Sequence, residues 1–369
     1  MNLPLYEQEQ VKESINKLFL DRNGDNINLG LYYQKFCNSW DRDFKSLDKR
    51  EFILDIVSKS QNIDRVLLKE HIERMYNLTC TLGGKFKIYE LTERFITGIG
   101  LDHPIEVGFL WNHTLGVPYI AGSSIKGIVR NWVENWTQVD KKDNNTIKRI
   151  FGSNTDDAQE NQAGSVIFFD ALPFGEICLK ADIITPHYTP YYSDGECPGD
   201  WSNPMPISFL TVDENQKFIF FVAPRTKNNM VDCFKVIEWL DEALTTLGAG
   251  AKTATGYGCF KSAESTEKAY DEQIKIKIEE EKRRRELESM SPLRREMEKD
   301  GYSKGDEIFM EVLTVKWLKR LEDNTEKEVT KKEIAKYLAD WYKTNRLKQW
   351  ENPKGKNIEK VNLIKSFLD

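Results

Sequence analysis

Gly122-Ser123-Ser124-Ile125-Lys126-Gly127-Ile128-Val129-Arg130-Asn131-Trp132-Val133-Glu134-Asn135-Trp136 is patterned as one amphipathic helix. Ile125, Ile128, Val129, Trp132, Val133 and Trp136 recur at i, i+3, i+4, i+7, i+8 and i+11, a continuous apolar stripe that packs on a core. Lys126 and Arg130 are one turn apart and lie off that stripe. Gly122-Ser123-Ser124 is expected to supply the N-cap, with the positive end of the helix dipole beyond it. Free amides, hydroxyls and two cations along one edge would make a phosphate site. The same pattern also describes a capped helix with two solvated basic residues. Ser123 and Lys126 match the S-x-x-K motif of acyl-enzymes, which needs S-D-N and K-T-G partners. The chain offers only Ser193-Asp194-Gly195 and Lys252-Thr253-Ala254, so acyl transfer is excluded.

Outward from this helix, the preceding segment 97–122 is turn-rich, and Phe86-Lys87-Ile88-Tyr89-Glu90-Leu91 before it is strand-like. Residues 1–80 carry helical spacing, as at Phe52, Ile53, Ile56 and Val57. On the other side, polar breaks at 140–145 and 154–164 precede Gly164 to Asp170, a buried-strand pattern repeated at Lys217 to Val222. Between those strands, residues 185–206 hold five of the twelve prolines together with Tyr188, Tyr191, Tyr192 and Trp201. That proline density predicts a long, stiff loop without regular structure. Met230 to Leu247 is helical, and a glycine-rich segment with a short strand follows.

That segment, Leu247-Gly248-Ala249-Gly250-Ala251-Lys252-Thr253-Ala254-Thr255-Gly256-Tyr257-Gly258, invites two nucleotide-binding readings. A Walker A loop needs glycine where Ala251 stands, and a dinucleotide fingerprint needs glycine where Thr253 stands. Both also run strand–loop–helix, whereas this segment follows a helix and precedes a strand. What remains is thin backbone that would admit a polyanion, with Lys252 and Thr253 at its centre, or else a structural turn.

The whole chain has 369 residues, 40% of them hydrophobic, and a formal net charge of -6. Enough apolar material is present for a core, so wholesale disorder is excluded. No apolar run is long enough to cross a bilayer, and no membrane partner is expected. Met1 to Gln8 lacks a basic and an apolar region, so no secretory signal is expected. The six cysteines form no C-x-x-C pair and are read as reduced thiols of a cytoplasmic protein. The charge is uneven: residues 265–369 carry 25 basic and 23 acidic side chains, which leaves -8 on residues 1–264. The expected organisation is a helical region 1–85, a mixed body 86–262, a charged helical connector 263–300 and a helical region 301–369.

Several blocks in order resemble the RAMP superfamily of CRISPR effector proteins, and within it the sixth-subunit family of the Cmr module of type III-B systems. They are Gly98-Ile99-Gly100 through Gly108, Gly116 to Gly127 with Arg130, Phe151-Gly152, Phe168-Phe169-Asp170-Ala171 and Asp182 to Tyr188. Asp200-Trp201, Asn203-Pro204, Pro206-Ile207, Phe209 to Val212 and the glycine-rich segment complete the set. Ala121 departs from the proline usual before Gly-Ser-Ser in that family. The resemblance covers about residues 86–260 and implies an α+β body of ferredoxin-like, RRM-like type, a β-α-β-β-α-β sheet with helices on one face, with helical N-terminal and C-terminal additions. The order of strands and helices read from the residues agrees with it.

The resemblance also implies a role: a backbone subunit that holds CRISPR guide RNA toward its 3′ part and packs on other Cmr subunits, guide pairing being what reads the target RNA. Ser123, Ser124, Lys126, Arg130, Gly250, Lys252 and Thr253 are the expected RNA-facing residues. The alternative is an endoribonuclease. Related cutting subunits carry an aspartate after the first strand, where this chain has Asp102, and His187 is a second candidate acid or base. A third reading is a protein adaptor acting through its helical tail. No cluster has metal-ligand spacing, and neither a metal nor a cofactor is expected.

Overall fold

The computed structural model describes residues 28–368 except 38, 42, 44, 138–143, 154–160, 196, 200, 202–203 and 304–305. The helical expectation for residues 1–27, most of both polar breaks, and Asp200 and Asn203 of the quoted blocks lie outside the described residues. The chain divides into two compact units, Met1–Asp271 and Glu272–Asp369.

In the first unit the helices are α1 (Leu29–Lys35), α2 (Lys49–Lys59), α3 (Arg65–Thr81), α4 (Gly122–Asn135), α5 (Asn144–Phe151), α6 (Thr189–Asp194) and α7 (Met230–Thr246), with α8 (Glu264–Ser289) running out of it. The strands are β1 (Lys85–Leu91), β2 (Trp111–Asn112), β3 (Val117–Pro118), β4 (Val166–Phe168), β5 (Leu172–Pro173), β6 (Leu179–Ile184), β7 (Ile207–Val212), β8 (Lys217–Pro224) and β9 (Phe260–Ser262). The main sheet has the order β4-β8-β1-β9, with β5 also on β8, and every pairing is antiparallel. Helix α4 connects β1 to β4, and α7 connects β8 to β9. The four principal strands therefore lie in the order fourth, first, third, second, the ferredoxin-like arrangement of a β-α-β-β-α-β unit.

Strand β8 shows why the sequence has an unbroken apolar run there: Phe218 to Ala223 are all buried, on both faces of the sheet. One face meets α7, where the Tyr89 hydroxyl donates to Asp241 at 2.7 Å and the Tyr89 and Phe220 rings stack edge-on at 5.2 Å. On the other face Phe86 and Phe221 are neighbours, and Tyr76 of α3 and Tyr270 of α8 cover Phe86 at 5.2 and 6.0 Å. The expectation of helices on one face is thus corrected. The N-terminal helix α3 and the start of α8 close the second face, because its aromatic side chains are too apolar to leave wet.

Strands β6 and β7 form a separate hairpin, paired from Leu179↔Val212 to Ile184↔Ile207. It joins the body through the Phe95↔Val212 bridge. Residues 185–206 at its tip are not wholly irregular, since Thr189–Asp194 is helical. Pro190 lies in the first turn, where a missing N–H breaks no helical bond.

The second unit is helical, with Pro292–Lys299, Asp306–Val312, Glu328–Asn345, Leu347–Glu351 and Asn357–Ser366 among its elements. Its own core includes Met297, Phe309, Trp317, Leu338, Trp341 and Val361, all essentially inaccessible. No helix among the described residues is long and apolar enough to cross a membrane.

Candidate functional site

The entrance of α4 differs from the expected serine cap. Ala121 holds the N-cap position in an extended conformation and its side chain caps nothing. Ser123 and Ser124 are already inside the first turn, both exposed. The amide of Gly122 donates instead to Asp170 Oδ1 at 2.8 Å, and that of Ser124 to the Ala121 carbonyl at 2.9 Å. A β-carbon on Gly122 would stand 2.3 Å from the Phe168 carbonyl oxygen, so only glycine lets the helix start this close to β4. A carboxylate at a helix N-terminus takes the place an anion would occupy. Asp170 fills that role here.

The apolar stripe of α4 is buried at Ile125, Val129 and Val133 and reaches the surface at its end, where Trp136 is exposed. Trp132 and Trp136 stack there at 6.2 Å, and the Trp132 indole donates to Glu242. Around the stripe the two flanks of the helix differ. Ser124, Ile128 and Asn131 line a groove of about 510 Å³ together with Thr97 to Leu101, Leu110, Leu247 to Ala251 and Thr253. At about 100° per residue, Lys126 stands roughly 200° around the axis from Ser124. Lys126 and Arg130 therefore occupy the opposite flank. The Ser124 hydroxyl and the cations do not share one edge, because a two-residue step in a helix reverses the side, whereas Ser123, three and seven residues before Lys126 and Arg130, lies on their flank.

The structure thus brings Ser124, Gly250 and Thr253 to one groove and leaves Ser123, Lys126, Arg130 and Lys252 off its wall. Arg130 is engaged with Glu134, Nε to Oε1 at 2.6 Å. Lys126 has no carboxylate partner among the described residues.

The glycine-rich segment is folded against residues 94–97. The amides of Ala251 and Gly258 donate to the carbonyls of Ile96 and Arg94 at 2.9 and 2.7 Å, and that of Ala249 to Gly258 at 2.9 Å. Gly250 has φ +88, and a β-carbon there would meet the Ile96 carbonyl at 2.2 Å. At Gly258 one would meet the Ala249 carbonyl at 1.9 Å. These glycines serve contact of the chain with itself rather than open backbone for a ligand, and only Gly256 faces free space. Lys252 is left-handed, φ +59, and its carbonyl anchors the 3₁₀ turn Thr253–Thr255 by accepting from the Thr255 amide and hydroxyl.

A network that the sequence does not display ties this loop to the hairpin. Asp182 of β6 accepts from Arg94 at 2.9 Å and from the Tyr257 hydroxyl at 3.0 Å. Burial alone would raise the Asp182 carboxyl, but the bonds from the Ile183 amide, Tyr257 and Arg94 outweigh it and hold it below the ordinary range. The three residues are far apart in sequence, and the one available signal is that Asp182 and Tyr257 fall in two of the quoted blocks.

The two candidates for RNA cutting stand at the surface. Asp102 and His187 are both exposed, and the His187 ring lies 6.3 Å from that of Tyr188. The neighbouring His103 is structural: it stacks on Tyr33 at 4.1 Å, with Nε2 2.9 Å from the Tyr33 carbonyl. The Ile105 amide points at its Nδ1, so the ring is neutral with its proton on Nε2, and burial lowers its pKa. No group of three His, Cys, Asp or Glu among the described residues is placed to hold a metal.

Residues 87–261, which contain α4, the groove and the glycine-rich loop, match the RAMP superfamily. Over 239 residues the chain is 30% identical to the CRISPR system Cmr subunit Cmr6 of Pyrococcus furiosus, an alignment covering 50% of this chain and 68% of that protein. The chain belongs to the Cmr6 family of RAMP proteins. A second Cmr6, from Saccharolobus solfataricus, is 28% identical over 224 residues, 59% of this chain and 72% of its own length. Among solved structures, a chain of the type III-B Cmr-beta complex bound to cognate target RNA matches with TM-score 0.48 and 21% identity, over 68% of this chain and 96% of that one. The crystal structure of Cmr6 from Pyrococcus furiosus matches with TM-score 0.32 and 27% identity, over 48% of this chain and 97% of that one. The RAMP match leaves α1–α3 and the second unit outside it.

Proposed function

We propose that this chain is an RNA-binding structural subunit of a type III-B CRISPR effector complex, working in the cytoplasm without a catalytic group of its own. It holds guide RNA toward its 3′ part and packs on neighbouring Cmr subunits, and base pairing with the guide brings target RNA to it. The observation that carries this reading is the 30% identity to a Cmr6 across 68% of that protein. The covered sheet bears on where the RNA would lie. An RRM stacks bases on the open face of its sheet, and here Tyr76 and Tyr270 cover that face at Phe86. We assign RNA instead to the groove of Ser124, Gly250 and Thr253 and to the flank of Lys126 and Arg130, a reading supported by that cover. Ser123 at the start of α4 and Lys252 on the loop lie beside these two surfaces.

Purifying the natively expressed protein with its companions and sequencing the bound RNA tests the assignment. Small RNAs of repeat-plus-spacer type are expected, and recovery of unselected cellular RNA would sink it. Asp102→Ala and His187→Ala complexes are expected to give an unchanged cleavage ladder. A missing product in either would put the cutting reading in its place.

A further inference from the structure

The second unit contains two populations of basic side chains. Around Glu296 they are paired: Lys316 meets Glu296 and Asp300 at 2.8 and 2.7 Å, and Arg320 meets Glu296 and Glu326, each at 2.9 Å. Arg294 meets Glu298 at 2.8 Å and lies over the Tyr302 ring. Between Lys343 and Lys365 the composition changes to seven basic residues against two glutamates, Glu351 and Glu359. There Lys343, Lys348, Lys354, Lys356 and Lys365 are all exposed, and none has a carboxylate partner among the described residues.

The fold gathers this charge. Lys343, near the end of Glu328–Asn345, and Lys365, near the end of Asn357–Ser366, lie 5.8 and 5.1 Å from the centroid of one ring, that of Trp350. Trp350 belongs to the short helix Leu347–Glu351, which also carries Lys348. The ring is buried and packs on Tyr342 at 5.9 Å, so its place is fixed by the core. Two ammonium groups from separate helices converge there against their mutual repulsion, steadied by the face of the indole. A third lysine lies on the helix beneath.

We propose that this lysine surface binds the phosphate backbone of a nucleic-acid strand, as a second contact separate from the groove of the first unit. Lysine is depleted at the centre of protein–protein interfaces, whereas unpaired lysines facing solvent are what a polyphosphate neutralises with release of counterions. Trp350 is too buried to stack on a base. The contact therefore reads phosphate and carries no sequence preference.

The test uses the full chain and poly(U) RNA, titrated over a range of salt concentrations. Lys343→Ala/Lys348→Ala/Lys365→Ala is expected to weaken binding about tenfold and to lower the salt slope by about 2, as for three lost contacts to a single strand. The corresponding triple arginine variant keeps the charge and is expected to retain affinity and slope. An unchanged slope in the alanine variant overturns the proposal. So does displacement of poly(U) by poly-glutamate charge for charge, which would assign the surface to an acidic protein. Lys126→Ala measured in parallel separates the two surfaces, since loss of slope in one variant does not depend on the other.

Discussion

The glycine-rich loop 248–258 and the cation-bearing flank of α4 have the same appearance in sequence, small residues beside basic ones, and opposite uses in the structure. In the loop, positive φ at Gly248, Gly250 and Gly258 lets backbone lie against backbone at Gly258, Ile96 and Ala249. On the flank Lys126 and Arg130 are half-buried beside the helix surface, and Arg130 is engaged with Glu134. Motifs of small and basic residues therefore divide into those that shape a wall and those that present charge. Stability and affinity measurements separate the two.

The largest effect is expected inside the loop. Gly250→Ala combines a left-handed backbone with a β-carbon pressed on the Ile96 carbonyl, and should cost about 2–4 kcal/mol. Gly256→Ala has the strained φ but open space around it, and should cost about 1 kcal/mol. Thermal unfolding of the two variants side by side checks the difference. Equal losses would show that conformation alone, and not close approach, fixes the loop.

A smaller effect is expected from pH at the groove's facing wall, Gly98 to Leu101, which adjoins His103. Burial keeps His103 neutral in the folded protein, with its pKa below the ordinary 6.5. His71 is lowered too, first by burial and then by Arg74, with Asp170 opposing. Below pH 6.5 the unfolded chain takes up protons that the folded chain refuses, so stability is full above that value and falls as pH drops. Each group contributes a slope of at most about 1.4 kcal/mol per pH unit. His103→Gln should flatten urea midpoints compared between neutral and mildly acidic buffer. A variant as pH-sensitive as the parent would remove His103 from the account.

Much of the fold was legible because it rests on periodicity. The stripe Ile125, Val129, Val133 gave α4, and the unbroken run of β8 gave a strand buried on both sides. The second covered face was not legible, since Tyr76, Phe86 and Tyr270 meet from three distant segments and no local pattern links them. For the candidate site, spacing correctly placed Lys126 and Arg130 on one flank. It erred in adding Ser124, which faces the groove instead, and in assuming a serine cap where Asp170, 48 positions from Gly122, supplies the bond. Glu134 was in plain view four residues from Arg130, and its pairing is the local feature that charge counting passed over.

The smallest effects on stability, and the sharpest on affinity, are expected on the flank itself. Arg130→Ala removes a partly exposed i,i+4 pair worth about 0.3–0.5 kcal/mol, and Lys126→Ala removes no ion pair among the described residues. If both residues meet phosphate, each substitution should lower the salt slope of RNA binding by about 0.7–0.9. Their affinities should still differ. Lys126 is available at once, whereas Arg130 must exchange Glu134 for the ligand and gives back part of what it gains. Glu134→Gln should therefore tighten RNA binding in the parent and have no effect in Arg130→Ala. If Glu134→Gln tightens both equally, the carboxylate acts through the general field rather than through its partner, and Arg130 is not at the RNA.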